Sequence, residues 1–223
     1  MSRVEVQTLA FGGLSIAHDD RVLRPRRWTL HQSHWALELL PGLPDGPVLE
    51  LCSGAGQIGL VVAAGTTRRL VCVDVDPAAA HYTLHNASTA GLADRVEMRV
   101  RSLTDAVSAD ETFPLILADP PWVPRADVGR FPEDPVRAID GGPAGGLDVA
   151  RDCVRVIGRH LASEGLSLLQ LGSSAQVDGL RDDLEAAGLR VVETRTYGAR
   201  GVLVLLSPQM HPSGGIDLSG SRS

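Results

Sequence analysis

The sequence predicts a doubly wound α/β domain on a mostly parallel sheet, and three stretches carry that expectation. Residues 48–60 read as strand, tight turn and helix, with Gly54, Gly56 and Gly59 spaced so that backbone can approach backbone or ligand without an intervening Cβ. About twenty residues on, Val71-Cys-Val-Asp-Val-Asp76 is a second apolar strand ending in carboxylates, where open α/β sheets hydrogen-bond a ribose. Pro114-Leu-Ile-Leu-Ala-Asp119 repeats the pattern of an apolar strand that closes on an acid.

The remaining elements follow in order. Val4, Val6, Leu9 and Phe11, and later Val22-Leu23, suggest one or two short strands around the Phe11-Gly-Gly13 turn. Arg24-Pro-Arg-Arg-Trp-Thr29 is the densest basic cluster, open both to a solvated loop and to a phosphate or substrate contact. Residues 30–40 form an amphipathic helix stopped by Pro41-Gly42. Asp76-Pro77 opens a helix that runs to Gly91, with proline in its first turn. Residues 95–103 alternate as a third strand, Val96, Met98 and Val100 sharing a face, and residues 114–119 are the fourth. The Pro-, Gly- and Asp-rich stretch 123–146 has the character of a lid or substrate wall. Helix 147–161, strand 166–171, helix 175–187 ended by Gly188, and paired strands 189–197 and 201–206 complete the domain. The expected organisation is a covering segment over 1–46, a ligand-binding domain over 47–207 and a flexible tail over 208–223.

Composition removes several function classes. The chain has 223 residues, suited to one α/β domain, and a net charge of −6, which argues against gripping a long nucleic-acid backbone. All 21 basic residues are arginine, so a Walker-A lysine, a lysine Schiff base and a lysine nucleophile are excluded. Cys52, Cys72 and Cys153 form no Cys-x-x-Cys pair, there is no membrane-length apolar run, and the N-terminus lacks a signal-peptide pattern. A cytoplasmic, soluble protein is expected. His31 with His34, and His81 with His85, lack the further ligands a zinc site needs, so no metal is expected.

Two sites carry chemistry. Gly54-x-Gly56-x-x-Gly59 fits a dinucleotide fingerprint letter for letter, yet Glu50 just ahead of it would repel a pyrophosphate and attract the ammonium and sulfonium groups of S-adenosylmethionine. At Asp119-Pro120-Pro121-Trp122 two prolines remove two backbone donors, leaving carbonyl acceptors beside a carboxylate and a flat indole. An amide or arylamine nitrogen held there by both hydrogens would have its lone pair turned toward a methyl donor, with Trp122 stacking on its plane.

These residues resemble the HemK-type methyltransferases, which methylate the side-chain amide of a glutamine in translation release factors. The resemblance runs from about residue 22 to 207. It covers Val22-Leu-Arg-Pro-Arg-Arg-Trp-Thr29, Glu50-Leu-Cys-Ser-Gly-Ala-Gly56, Asp74-Val-Asp-Pro with Asn86-Ala87, and Ala138-Ile-Asp-Gly-Gly-Pro-Ala-Gly-Gly-Leu-Asp148. It implies a Rossmann-like class I methyltransferase fold, a seven-stranded, mostly parallel sheet with a C-terminal antiparallel strand, in a short single-domain member lacking the family's helical N-terminal domain. Carried over by position, Thr29, Glu50, Cys52, Gly54, Asp74, Ser102 and Leu103 line S-adenosylmethionine, with Gly56 and Val75 beside them. Asp119, Pro120, Pro121 and Trp122 receive the substrate nitrogen, Asp119 also touching the cofactor. Because short members of the family can pair with a small activating protein, the resemblance also implies such a partner.

Three positions depart from the pattern: Cys52 stands for a glycine, Ser102 for an aspartate, and Asp-Pro-Pro-Trp for Asn-Pro-Pro-Tyr. Asp-Pro-Pro-Trp also resembles the signature of adenine N6-methyltransferases. The leading expectation is N-methylation of a planar amide or amine, a protein glutamine first. A small-molecule N- or O-methyltransferase is the alternative. An adenine N6-methyltransferase, a nicotinamide-dependent oxidoreductase and a binding module without turnover remain behind it.

Overall fold

The computed structural model describes residues 5–209, so Val4 and most of the expected tail lie outside the described residues. A β-hairpin comes first, β1 (Gln7–Phe11) against β2 (Leu14–His18), turning at Gly12-Gly13 as the sequence predicts. Helix α1 (Leu30–Leu39) follows. The main sheet takes β3 (Val48–Leu51), β4 (Leu70–Asp74), β5 (Val96–Val100), β6 (Phe113–Ala118), β7 (Leu161–Leu171), β8 (Leu189–Thr196) and β9 (Val202–Pro208). The seven strands lie in the order β5-β4-β3-β6-β7-β9-β8. The first five run parallel, and β9 lies antiparallel to both β7 and β8. The order reverses direction of travel beside β3, which places a crevice over the carboxyl ends of β3, β4 and β6.

Helices α2 (Gln57–Ala64), α3 (Pro77–Thr89), α4 (Val136–Ile139), α5 (Asp148–His160), α6 (Ser174–Gly179) and α7 (Arg181–Ala186) supply the crossovers and covers. The strands are apolar on both faces because both are covered. Val48, Cys72, Leu115, Leu117 and Leu168 pack beneath the hairpin, α1, α2 and α3, where Phe11, Ile16, Trp35 and Tyr82 are buried. Leu49, Leu51, Val71, Val73, Ile116 and Ala118 pack on the opposite side against Cys153 and Ile157 of α5 and Leu184 of α7. Asn86 ties the layers together: its side chain donates to the carbonyls of Ala17 and Ala55 and accepts from the Ala17 N–H at 2.8 Å.

Three expected elements change. Val22-Leu23, expected in a strand, lies in irregular chain after β2, because the hairpin partner of β1 is Leu14–His18. The helix over 175–187 is split into α6 and α7 at Leu180, whose fully buried side chain is set into the core by a non-helical backbone at φ −99°, ψ 1°. The strand expected over 166–171 begins at Leu161, because α5 ends at His160 and the chain pairs with Phe113 at once, shifting register before Leu115.

Candidate active site

The glycine turn is held from behind. Glu50 of β3 lies on the sheet face that carries Val48 and, on β4, Cys72; its Oε1 accepts from the Gly59 N–H at 2.9 Å while the Cys72 thiol donates to Oε2 at 3.4 Å. A Cβ at Gly59 would overlap Glu50 Oε2, so only glycine lets α2 begin this close to the strand. Burial pushes the Glu50 carboxyl up to about 7. The turn reaches α2 through Gly56, at φ 78°, where a side chain would also press on Thr83. Cys52 takes the left-handed conformation at φ 58°, its thiol 4.0 Å from that of Cys153, and this contact followed by burial raises its pKa.

Over the strand ends lies a cavity of about 720 Å³. On its β4 side, Asp74 Oδ2 accepts from the Gly54 N–H and Oδ1 from the Asp76 N–H, both at 2.9 Å, tying the two strand ends together. Burial still raises the Asp74 pKa. Two acceptor positions remain free on its oxygens. Val75 beside it is 56% exposed, and Ser102 and Leu103 continue the wall; the Ser102 hydroxyl donates to Asp105. Gln57, the first residue of α2, lines the same space with its Oε1 buried and without a hydrogen-bond partner.

On the β6 side the cavity is lined by Asp119 and Pro121, with Val136 and Arg137 of α4 across from them. The 123–146 stretch thus lines this side of the cavity, held in place by the Val123–Asp140 bridge and by Asp140, which accepts from the Gly142 N–H and from Arg125. Burial pushes the Asp119 carboxyl up to about 7, with no hydrogen bond or cation offsetting it.

Of the sequence-derived residues, Cys52, Gly54, Asp74, Val75, Ser102, Leu103, Asp119 and Pro121 meet in this cavity. Five do not line it. Glu50 is turned beneath the turn, so the expectation that its carboxylate faces a cationic ligand is corrected to a role in holding the turn. Thr29 is buried and donates to the Arg26 carbonyl, and Gly56 acts through its backbone. Pro120 is buried and does not reach the cavity. Trp122 packs against Gly172, and its carbonyl accepts from Gln176, so it does not offer the cavity a stacking surface. In the basic cluster, Arg26 pairs with Asp134 and lies over the Trp28 ring at 5.7 Å, which answers its charge within the fold. His81 and His85 stack on each other at 6.4 Å. Sequence reasoning missed Gln57, Arg21 and Arg101 among the lining residues. Gln57 carried a signal, since a polar side chain at the first position of a helix after a glycine turn points where that helix's free N–H groups point.

Residues 32–130 match the Methyltransferase small domain family. The chain is 34% identical to the release factor glutamine methyltransferase of Rhodospirillum rubrum over 79% of its own length and 54% of that protein. It is 30% identical to the ribosomal protein uL3 glutamine methyltransferase of Bordetella pertussis over 62% of its length and 46% of that protein. The chain thus spans about half the length of these curated relatives. The structure of ribosomal protein L11 methylase from Lactobacillus delbrueckii subsp. bulgaricus superposes with a TM-score of 0.62 at 13% identity, covering 85% of this chain and 82% of that one, so the two share a fold. Among the described residues no helix is long and apolar enough to cross a membrane.

Proposed function

From a chain that is a relative of the HemK-type glutamine methyltransferases, we propose that this protein is an S-adenosylmethionine-dependent methyltransferase acting on the nitrogen of a planar amide, with a protein glutamine as the acceptor. The observation that carries the reading is the single cavity that opens on both Asp74 and Asp119, one acid for each of two ligands.

The residues present fit the cofactor. Asp74 would accept from the ribose hydroxyls with the lone pairs its backbone donors leave free. Val75, Ser102 and Leu103 would flank the base, and the exposed apolar surface of Val75 suits a flat ring. The first N–H groups of α2, where Gln57 lines the cavity, would meet the polar methionine end. When bound, S-adenosylmethionine supplies an electrophilic methyl carbon on a cationic sulfur. The chain's own part is to place the acceptor nitrogen: Asp119 is the hydrogen-bond acceptor at the corner, and the wall of α4 limits water.

Two measurements test this. S-adenosylhomocysteine should raise the melting temperature and NAD should not; the reverse would remove the reading. Incubation with methyl-labelled cofactor and a lysate split into protein, RNA and small-molecule fractions should then label the protein fraction. Label confined to small molecules would move the acceptor to a metabolite.

A further inference from the structure

Asp119 is the one strand-end acid lining this cavity to which the chain offers nothing. An aspartate at the start of a turn is ordinarily capped by the backbone N–H groups one or two residues on, and here both positions are proline. Asp74 and Asp140, by contrast, each accept from a backbone N–H two residues on, Asp76 and Gly142 respectively. The groups around Asp119 do not replace those donors. Toward the sheet lie Cys52, Asp74 and Asp76, with Glu50 behind the turn, all acids or thiols. From the outer walls come Arg21, Arg101, Arg137, Asp140 and Asp152, and none of these charges offsets the burial of Asp119. Partly buried and given no donor by the chain, this group favours the carboxylic acid over the carboxylate.

We propose that Asp119 works as a carboxylic acid, donating its O–H to the oxygen next to the acceptor nitrogen while its carbonyl accepts that nitrogen's N–H. This rests on the methyl-transfer reading above and assigns the protonation state in which its acceptor corner works. An ionised aspartate could only accept, but the acid matches both polar atoms of a carboxamide, as an asparagine does. It adds something an asparagine does poorly. Passing its proton to the amide oxygen while taking the N–H proton, Asp119 leaves the nitrogen with an in-plane lone pair in the imidic acid form. Over the whole exchange the nitrogen gains the methyl carbon and loses one hydrogen, the sulfur keeps the bonding pair, one proton reaches solvent, and Asp119 ends as the acid it began as. A simple amine or hydroxyl lacks the neighbouring oxygen and is a poor fit.

The experiment uses the full chain and two readouts. In infrared difference spectra between pH 6 and pH 9, wild type minus Asp119→Asn, a protonated-carboxyl stretch should be present at the lower pH and gone at the higher. A carboxylate at both would overturn the assignment. In the lysate protein fraction, methyl incorporation by the wild type should fall about tenfold per pH unit above about pH 7, as the acid is lost. Asp119→Asn should keep about a tenth of the wild-type rate with no such descent, and Asp119→Ala should lose 100-fold or more. A wild-type rate that rises through this window, or an inactive Asp119→Asn, would overturn it. Loss of the S-adenosylhomocysteine shift in the wild type would instead bring down the methyl-transfer reading.

Discussion

The carboxyl ends of β4 and β6 lie one strand apart in the same sheet, each closing on an aspartate, and they are finished in opposite ways. Asp74 receives two backbone N–H groups at 2.9 Å, one from its own turn and one from the glycine turn of the neighbouring strand. Asp119 receives none, because the two residues after it are prolines. The difference separates a carboxylate that folding has already oriented from a carboxyl whose partners must come from outside. In the functional reading the first presents a ready-made acceptor to a cofactor, and the second is completed only by the substrate.

The largest effects should distinguish these corners. Asp119→Ala removes the acceptor site alone, so methyl incorporation should fall at least 100-fold while the S-adenosylhomocysteine thermal shift stays within a degree or two. Asp74→Ala should do the reverse damage, weakening S-adenosylhomocysteine by about 100-fold, since it loses both the ribose acceptor and the tie to Gly54. Both should be read by calorimetric titration beside the activity.

Next comes the turn that serves the Asp74 corner. Gly59→Ala must move Glu50 or α2, and a loss of about 2–4 kcal/mol in unfolding free energy is expected by urea titration. Glu50→Ala should cost about 2 kcal/mol by the lost Gly59 bond and the vacated space, and weaken the ligand only indirectly.

The pH dependence of stability joins the two regions. Glu50 and Asp119 are both raised to about 7 in the folded protein, from ordinary values of 4.5 and 3.8. The folded state therefore holds more protons than the unfolded one, and the stability these groups contribute is present below about pH 4 and lost as pH rises through about 7. The pKa of His18, lowered by burial, works in the other direction. Melting temperatures should thus be compared between wild type and the Glu50→Gln, Asp119→Asn double variant. From pH 5 to pH 8 the wild type should lose about 5 °C relative to that variant. The smallest effect is expected from Cys52→Gly. Relief of the left-handed conformation and loss of the contact with Cys153 oppose each other, leaving a change within about 1 kcal/mol.

The sequence made the sheet legible because each parallel strand is a short run of branched apolar residues bounded by glycine, proline or acid, and such runs are buried on both faces. The two strand-end acids were legible for the same reason. What escaped was decided by distant packing. The opposite facing of Glu50 from Leu49 and Leu51 is visible in the alternation, but only the cover of α2 turns that face away from the ligand cavity. Trp122 looked like a stacking surface until Gly172, fifty residues on, gave its ring a seat elsewhere. The break at Leu180 follows the burial of that one side chain, which no local pattern announces.

Titration of S-adenosylhomocysteine into wild type, Asp74→Ala and Asp119→Ala side by side addresses the division of labour between the two strand ends. Affinity should be lost at Asp74→Ala and kept at Asp119→Ala. Binding that survives the change at Asp74 and vanishes with the change at Asp119 would contradict it.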